Sequence, residues 1–360
     1  MNSARYSRQT ILPEMGTEGQ MRLAAARLLV VGAGGLGCPA LQYLAAAGVG
    51  TIGIIDHDRV DISNLQRQIL FATADAGKPK AQTARARLQD LNPDITLHAF
   101  DTELNDRNAQ EIFSAYDIVL DCTDNFPAKF LINDMAVKLG KPVVYGAIQG
   151  FEGQVAIFDA AHGPCYRCLH PQPPRGLVLN CAEAGVIGAL AGMIGAMQAM
   201  EAIKLIVGHE SFSPLKGKLF LMDVKTMDTQ TIIIPKNHDC AICSRPQAEI
   251  VPQYASPVCF SAEVRDIEIA ALGALQECLM IDVREQEEWD QGHIPDALHL
   301  ALSILHHDPE VFSPYRHRTC VLYCQRGARS RKAAEILLRA GFSDLYSLKG
   351  GYDAWSSAKA

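Results

Sequence analysis

Residues 28–37, LLVVGAGGLG, together with residues 51–58, TIGIIDHD, decide the fold. Leu28–Val31 is a short apolar run, β-branched at its tip, of the kind that forms a buried parallel strand. Gly32, Gly34 and Gly37 follow in G-x-G-x-x-G spacing, with Gly35 between them, and open a small-residue run of helical length. Glycine suits these positions because the backbone must turn tightly and approach a phosphate with no Cβ in the way. The start of the next helix then offers unpaired N–H groups and the positive end of a dipole to that phosphate. Thr51–Ile55 reads as a second strand, and Asp56 ends it about 20 residues past the last glycine, where a carboxylate reaches a ribose hydroxyl. The expected fold is α/β, a Rossmann-like doubly wound sheet with a nucleotide site at its strand ends. Taken alone, the motif favours NAD.

At 360 residues, 48% hydrophobic and 20% charged, the chain has room for two domains. Its net charge of −7 argues against nucleic acid as a partner. The opening MNSARYSRQTILPEMG lacks the apolar core of a secretory signal, so a cytoplasmic location is expected. Residues 184–200, AGVIGALAGMIGAMQAM, carry Gln198 and run on to Glu201 and Lys204. A buried helix making a close helix or subunit contact fits them better than a membrane span, and no membrane partner is expected. Eleven cysteines in such a chain point to metal and thiol chemistry rather than disulfides.

Further motifs follow in order. Arg8 lies on a polar N-terminal segment, and Asn64, Arg67 and Gln68 lie in a loop suited to wrapping a nucleotide. Lys80 begins a helix over 80–91, where it can meet an anionic phosphate. Strands are expected at 95–100 and 118–120, the second ending in Asp121-Cys-Thr-Asp124-Asn125. Asp124 suits a magnesium ion held against a triphosphate, or the cap of the next helix. Cys165-x-x-Cys168 and Cys240-x-x-Cys243 offer four thiolates at the spacing of a tetrahedral zinc. A closed four-sulfur site has no open position, so that zinc is structural; the alternative is one redox dithiol and an unrelated pair. Cys181 stands alone before the small-residue helix, readable as an apolar filler or as a nucleophile with a lowered pKa.

The ordered set RYSRQ, GAGGLG, Asp56 with Asp58, NLQRQ at 64–68, Lys80, DCTDN, both cysteine pairs and Cys181 resembles the MoeB/ThiF family, relatives of ubiquitin-activating enzymes, over about residues 3–245. That resemblance implies ATP rather than NAD, and adenylation of the C-terminal Gly-Gly carboxylate of a ubiquitin-like sulfur carrier. It also implies that Asp56 holds the ribose and that Arg67 and Lys80 neutralise phosphates. Asp124 then binds Mg²⁺, and Arg8 reaches into the partner's site in a homodimer. No further base is needed, since a carboxylate is already a nucleophile towards the α-phosphate and positioning suffices.

Residues 246–257 read as a linker, dividing a first domain at 1–245 from a second at 258–360. In the second, a strand at 278–283 ends at Asp282 and Arg284, and a strand at 319–323 delivers Cys324 into Gln325-Arg326-Gly327-Ala328-Arg329-Ser330. Such a unit sets a thiolate in a ring of N–H groups. Arg326, Arg329 and the following helix are expected to depress its pKa. A tyrosine-phosphatase loop needs arginine six positions after cysteine, where this chain has Ser330. With DVREQEEWDQGHIPDALHL and GGYDAW, the loop instead resembles a single rhodanese domain, a smaller α/β fold in which Cys324 carries a persulfide and Asp282 and Arg284 support the loop.

Together the halves resemble adenylyltransferase/sulfurtransferase fusions of the two families. The implied partners are a Gly-Gly-ended carrier and a sulfur donor, thiosulfate or a cysteine desulfurase. A molybdopterin-type carrier is the first expectation, with thiamin, tRNA thiolation and cysteine synthesis as alternatives. Cys181 either resolves the acyl disulfide or forms a thioester first. An NAD-dependent oxidoreductase leaves the cysteine pairs and the CQRGARS loop unexplained. A cysteine phosphatase is disfavoured by Ser330, and a non-enzymatic scaffold by the intact nucleotide-site residues.

Overall fold

The computed structural model describes residues 3–173, 185–252, 264–275, 278–316, 318–340, 342 and 344–359. Cys181 and Cys259 lie outside them. The chain folds as two compact units.

The first unit is built on β1 (Arg27–Val31), β2 (Thr51–Ile55), β3 (Thr96–Phe100), β4 (Ile118–Asp121), β5 (Val143–Gln149), β6 (Glu152–Phe158), β7 (Lys218–Asp223) and β8 (Asp228–Ile233). They form one sheet in the order β3-β2-β1-β4-β5-β6-β7-β8. The pairs from β3 to β5 are parallel, and those from β5 to β8 are antiparallel. Strand residues alternate between two cores: Leu28 and Val30 join Ile52 and Ile54 on one face, while Leu29 and Val31 join Ile55 and Phe113 on the other. Both faces are therefore covered, which is why β1 is apolar at every position after Arg27. The strand order reverses between β1 and β4, and ligands collect outside the strand ends at such a reversal.

The small-residue run forms the helix Gly188–Val207, long and apolar enough to cross a membrane. Here it packs against the helix Gly37–Ala47 and strands β5 and β6, with Gln198 and Glu201 buried. A Cβ on Gly195 would collide with Leu36 O, so glycine permits the close approach to the glycine loop's helix. Within the stretch read as linker, Ile250 is buried beside Cys165 and Cys240. Lys138 Nζ donates to Ile250 O at 2.7 Å, and Gln247 Nε2 to Val137 O at 3.2 Å. Residues 247–250 are thus seated on the first unit.

The second unit is a parallel sheet of β9 (Arg265–Ile267), β10 (Leu279–Asp282), β11 (Leu298–His299), β12 (Cys320–Tyr323) and β13 (Leu345–Leu348), in the order β11-β10-β12-β13-β9. Central β12 is fully buried because it has strands on both sides and apolar clusters on both faces. The helix after Cys324 spans Ala328–Arg339, so Ser330 lies in its first turn.

Candidate active sites

The glycine loop joins β1 to the helix Gly37–Ala47. Gly32 has φ +95°, and a Cβ there would lie 2.8 Å from Cys122 O. A Cβ on Gly37 would collide with Gly32 O, so these two glycines are demanded by the turn itself. Gly34 and Gly35 are different. A Cβ on Gly34 would meet nothing closer than Gln68 Nε2 at 3.7 Å, and one on Gly35 nothing closer than Arg67 and Ala191 at 3.4 Å. The loop 62–68 therefore brings Arg67 and Gln68 against the two glycines that the turn itself does not demand. Asn64 makes that possible by turning the chain: its carbonyl accepts from Arg67 N at 3.0 Å and Gln68 N at 2.9 Å. Gln68 is 4% exposed, and its Oε1 has no hydrogen-bond partner among the described residues.

Asp56 holds the loop in shape. Its Oδ2 accepts from Ala33 N at 2.7 Å and its Oδ1 from Asp58 N at 2.8 Å. Burial pushes its pKa up, against Lys80 and these N–H groups, which pull it down. Lys80, nearly buried, ion-pairs with Asp58 at 2.8 Å. At the end of β4 the helix cap is Asn125, whose Oδ1 accepts from Ala128 N at 2.9 Å. Asp124 is thereby left exposed, with no side-chain bond among the described residues. Beneath it, Asp121 holds Thr123 N and Oγ1 at 3.0 and 2.7 Å and forms a buried ion pair with Lys129. Lys129 also donates to Gly146 O, and Gln198 Nε2 donates to Asp121 O and Val144 O. Arg8 is exposed on the helix Ser3–Thr10.

Cys165, Cys168, Cys240 and Cys243 converge, with their four Sγ atoms within 4.8 Å of one another. Three separations are 3.9, 3.7 and 3.5 Å. A tetrahedral zinc with bonds of about 2.3 Å separates its sulfurs by about 3.8 Å, so donor set and geometry fit that ion. Ile250 and Val137 cover the cluster on the protein side.

In the second unit β12 delivers Cys324, 2% exposed, into a loop closed by Gly327 at φ +103°. Cys324 Sγ accepts from Gly327 N at 3.1 Å. Burial raises the thiol pKa, but the N–H groups of Ser330, Arg326 and Gly327, with the Ser330 hydroxyl, outweigh it and hold the pKa below its ordinary value. The lowering rests first on N–H groups, that of Arg326 among them, and the Arg329 guanidinium attracts the thiolate from within its own ion pair. Arg326 pairs with Asp353 at 3.1 Å, and Arg329 makes two 2.6 Å bonds to Glu288. Arg284 and Asp282, both buried, form a fork-on-fork pair, and Arg284 Nη1 donates to Gln325 Oε1 at 3.0 Å. The GGYDAW segment braces the loop from outside. Tyr352 N donates to Cys324 O at 2.8 Å and Asp353 N to Gln325 O at 3.1 Å, while a Cβ on Gly351 would collide with Cys324 O.

The ThiF family profile matches residues 6–242 and the rhodanese-like domain profile residues 268–358. This chain belongs to the ThiF family. It carries a rhodanese-like domain behind the ThiF unit, and it is an enzyme of adenylyl transfer and sulfur transfer. A "Probable adenylyltransferase/sulfurtransferase MoeZ" of Mycobacterium tuberculosis is 42% identical over 98% of this chain and 92% of its own length. A "Sulfur carrier protein adenylyltransferase" of Thermus thermophilus is 50% identical over 66% of this chain and 90% of its own. An "Adenylyltransferase and sulfurtransferase MOCS3" of Drosophila ananassae is 39% identical over 98% and 83%. Among solved structures, E. coli MccB with ATP superimposes with a TM-score of 0.59 at 21% identity, covering 68% of this chain and 75% of that one. That likeness speaks for the fold alone.

Several residues of this ThiF-family enzyme escaped the motif reading. Lys129, Asp121 and Gln198 tie the end of β4 to β5 and to the helix Gly188–Val207; Glu288 and Asp353 take up the two arginines of the Cys324 loop. Lys129 and Asp121 are eight residues apart and the other partners are distant in sequence, and no motif pairs them.

Proposed function

We propose that the ThiF unit adenylates the C-terminal carboxylate of a ubiquitin-like sulfur-carrier protein ending in Gly-Gly, and that a Cys324 persulfide then converts the adenylate to a thiocarboxylate. The reading is carried by the presence, on one chain, of a glycine loop faced by Arg67 and Gln68 and of a thiol embedded in N–H donors. In the first step a carboxylate oxygen of the carrier attacks the α-phosphorus of ATP and pyrophosphate leaves. Arg67 and Lys80 offset the charge, Asp56 orients the ribose, Asn64 and Gln68 line the nucleotide, and Asp124 and Asn125 stand at the reacting end. Asp124, exposed and uncommitted, would hold Mg²⁺, which would neutralise phosphate charge. The four cysteines would hold a structural Zn²⁺.

In the second step the outer sulfur of the Cys324 persulfide attacks the acyl carbon and AMP leaves, giving an acyl disulfide. A second thiol then attacks Cys324 Sγ, releasing the thiocarboxylate and forming a disulfide with Cys324. Cys181 is the proposed second thiol. The enzyme is proposed to work as a homodimer in the cytoplasm, with Arg8 completing the partner's ATP site. A molybdopterin-type carrier is favoured, as the full-length likeness to MoeZ and MOCS3 suits a fused sulfurtransferase.

Cys324→Ala tests the assignment. It should still release pyrophosphate and form the acyl-adenylate in the presence of a Gly-Gly-ended carrier, and yield no thiocarboxylate from thiosulfate. Full thiocarboxylate yield from this variant would overturn the role of Cys324. Asp124→Ala should abolish carrier-dependent pyrophosphate exchange; unchanged exchange would remove Asp124 from the reacting end.

A further inference from the structure

We infer that Glu288 is a specificity-determining residue: by holding Arg329 it makes the Cys324 loop a poorer acceptor of doubly charged sulfur donors than of singly charged persulfides. The inference rests on the reading of Cys324 as the persulfide carrier and deepens it by naming the donor class.

Three guanidiniums border the loop, and each already has a carboxylate. Arg284 is 2% exposed and is bonded to Asp282, Gln325 and Gly292 O, so it cannot turn to a ligand. Arg326 pairs with Asp353, whose other oxygen is held by Gln325. Arg329 is the one at the fifth position after Cys324, in the first turn of the helix Ala328–Arg339. Its two terminal nitrogens meet the two Glu288 oxygens at 2.6 Å each. That fork is the same surface on which a sulfonate or carboxylate makes a bidentate contact. With Arg284, Arg326 and Arg329 each balanced by an acid, what remains for a donor is the ring of N–H groups around Sγ.

Glu288 is well placed to keep this hold. Its Oε2 also accepts from Glu285 N at 3.3 Å, closing the start of the helix Gln286–Asp290. The adjacent Trp289 is stacked on His293 with centroids 3.7 Å apart and on His299 at 4.9 Å. His299 in turn bonds Arg284 O at 2.8 Å. The carboxylate thus sits on a fixed platform, and a dianionic donor must displace it from Arg329 and meet its repulsion.

The chemistry balances for either donor. The Cys324 thiolate attacks the outer sulfur of R–S–S⁻; the donor S–S bond breaks, R–S⁻ departs with the electron pair, and Cys324–S–S⁻ forms. With thiosulfate the same attack expels sulfite. No outside oxidant or reductant enters.

The test uses the full-length enzyme and follows Cys324 persulfidation by intact mass, with thiosulfate and free cysteine persulfide as donors. Glu288→Gln keeps an acceptor for Glu285 N and removes the charge. It should raise kcat/KM for thiosulfate roughly tenfold, chiefly through a lower KM, and change that for cysteine persulfide less than about twofold. Adding Arg329→Gln to this variant should erase the gain. Glu288→Asp, too short to hold the fork, should gain in the same direction and serves if Glu288→Gln does not fold. An unchanged donor preference in the folded variants, or a gain that survives in the double variant, overturns the inference. Wild-type Cys324 taking sulfur from neither donor overturns instead the persulfide reading on which it rests.

Discussion

Lys129 shows at the scale of one residue what a motif cannot display. It lies in the helix Phe126–Lys138, and its ammonium reaches both oxygens of Asp121 at 3.1–3.2 Å with neither side chain more than 7% exposed. Removing one partner leaves the other charge buried and uncompensated, which costs about 3–5 kcal/mol. Lys129→Met should therefore lower the stability of the ThiF unit by that amount in denaturant unfolding; a loss below about 1 kcal/mol would show that the pair is not carrying the end of β4. Cys324 offers a second test. Its thiol is held below the ordinary value of 9.0, so its thiolate is present at lower pH than that of a free cysteine. Alkylation of Cys324 should rise through a midpoint below pH 9.0. Ser330→Ala, which removes a hydroxyl among the causes of the lowering, should move that midpoint upward, as a pH profile of mass-detected alkylation would reveal. Cys324 itself was legible from strand, cysteine and loop. The ring of N–H groups that lowers its pKa was legible too, but the carboxylates that pair with Arg326 and Arg329 were not, because they come from Asp353 and Glu288 on other helices.

Among the elements, the glycine loop was the most readable, since its strand, turn and helix are adjacent in sequence. The four glycines nonetheless divide by role only in three dimensions. Gly32 and Gly37 face backbone, whereas a Cβ on Gly34 or Gly35 would make ordinary contact with Gln68 or with Arg67 and Ala191. Gly37→Ala should destabilise the unit outright. Gly34→Ala should leave the thermal midpoint in place and raise the KM for ATP in pyrophosphate exchange; an unchanged KM would place the phosphates elsewhere. The Asp124 segment was legible as a choice between metal ligand and cap. Tertiary geometry resolves the capping half, because Asn125 rather than Asp124 bonds Ala128 N. The residues expected to be linker illustrate a limit of composition: proline spacing says nothing of the pocket over Val137 and Cys240 that takes Ile250.

For the whole molecule, two separate sheets and cores imply two unfolding events, and the cysteine cluster belongs to the first unit alone. Scanning calorimetry with a strong chelator should lower the transition of the ThiF unit and leave that of the rhodanese-like unit unmoved. Freshly purified protein holding no metal, with neither transition shifted, would reject a four-cysteine zinc. The sequence alone determined the fold class, the order of strands and helices near each loop, and the place of Cys324 at the end of a strand before a loop and helix. These rest on periodicity, on turn chemistry and on cysteine spacing, all of which act over a few residues. Tertiary structure decided which charges are free to do chemistry. Lys80 is drawn to Asp58, Lys129 to Asp121 and Arg329 to Glu288, and only Asp124 among the exposed acids at the end of β4 is left uncommitted among the described residues. The reason is physical: an ion pair depends on distance in space, and partners on different elements, from eight to 41 residues apart here, carry no local signal of their meeting.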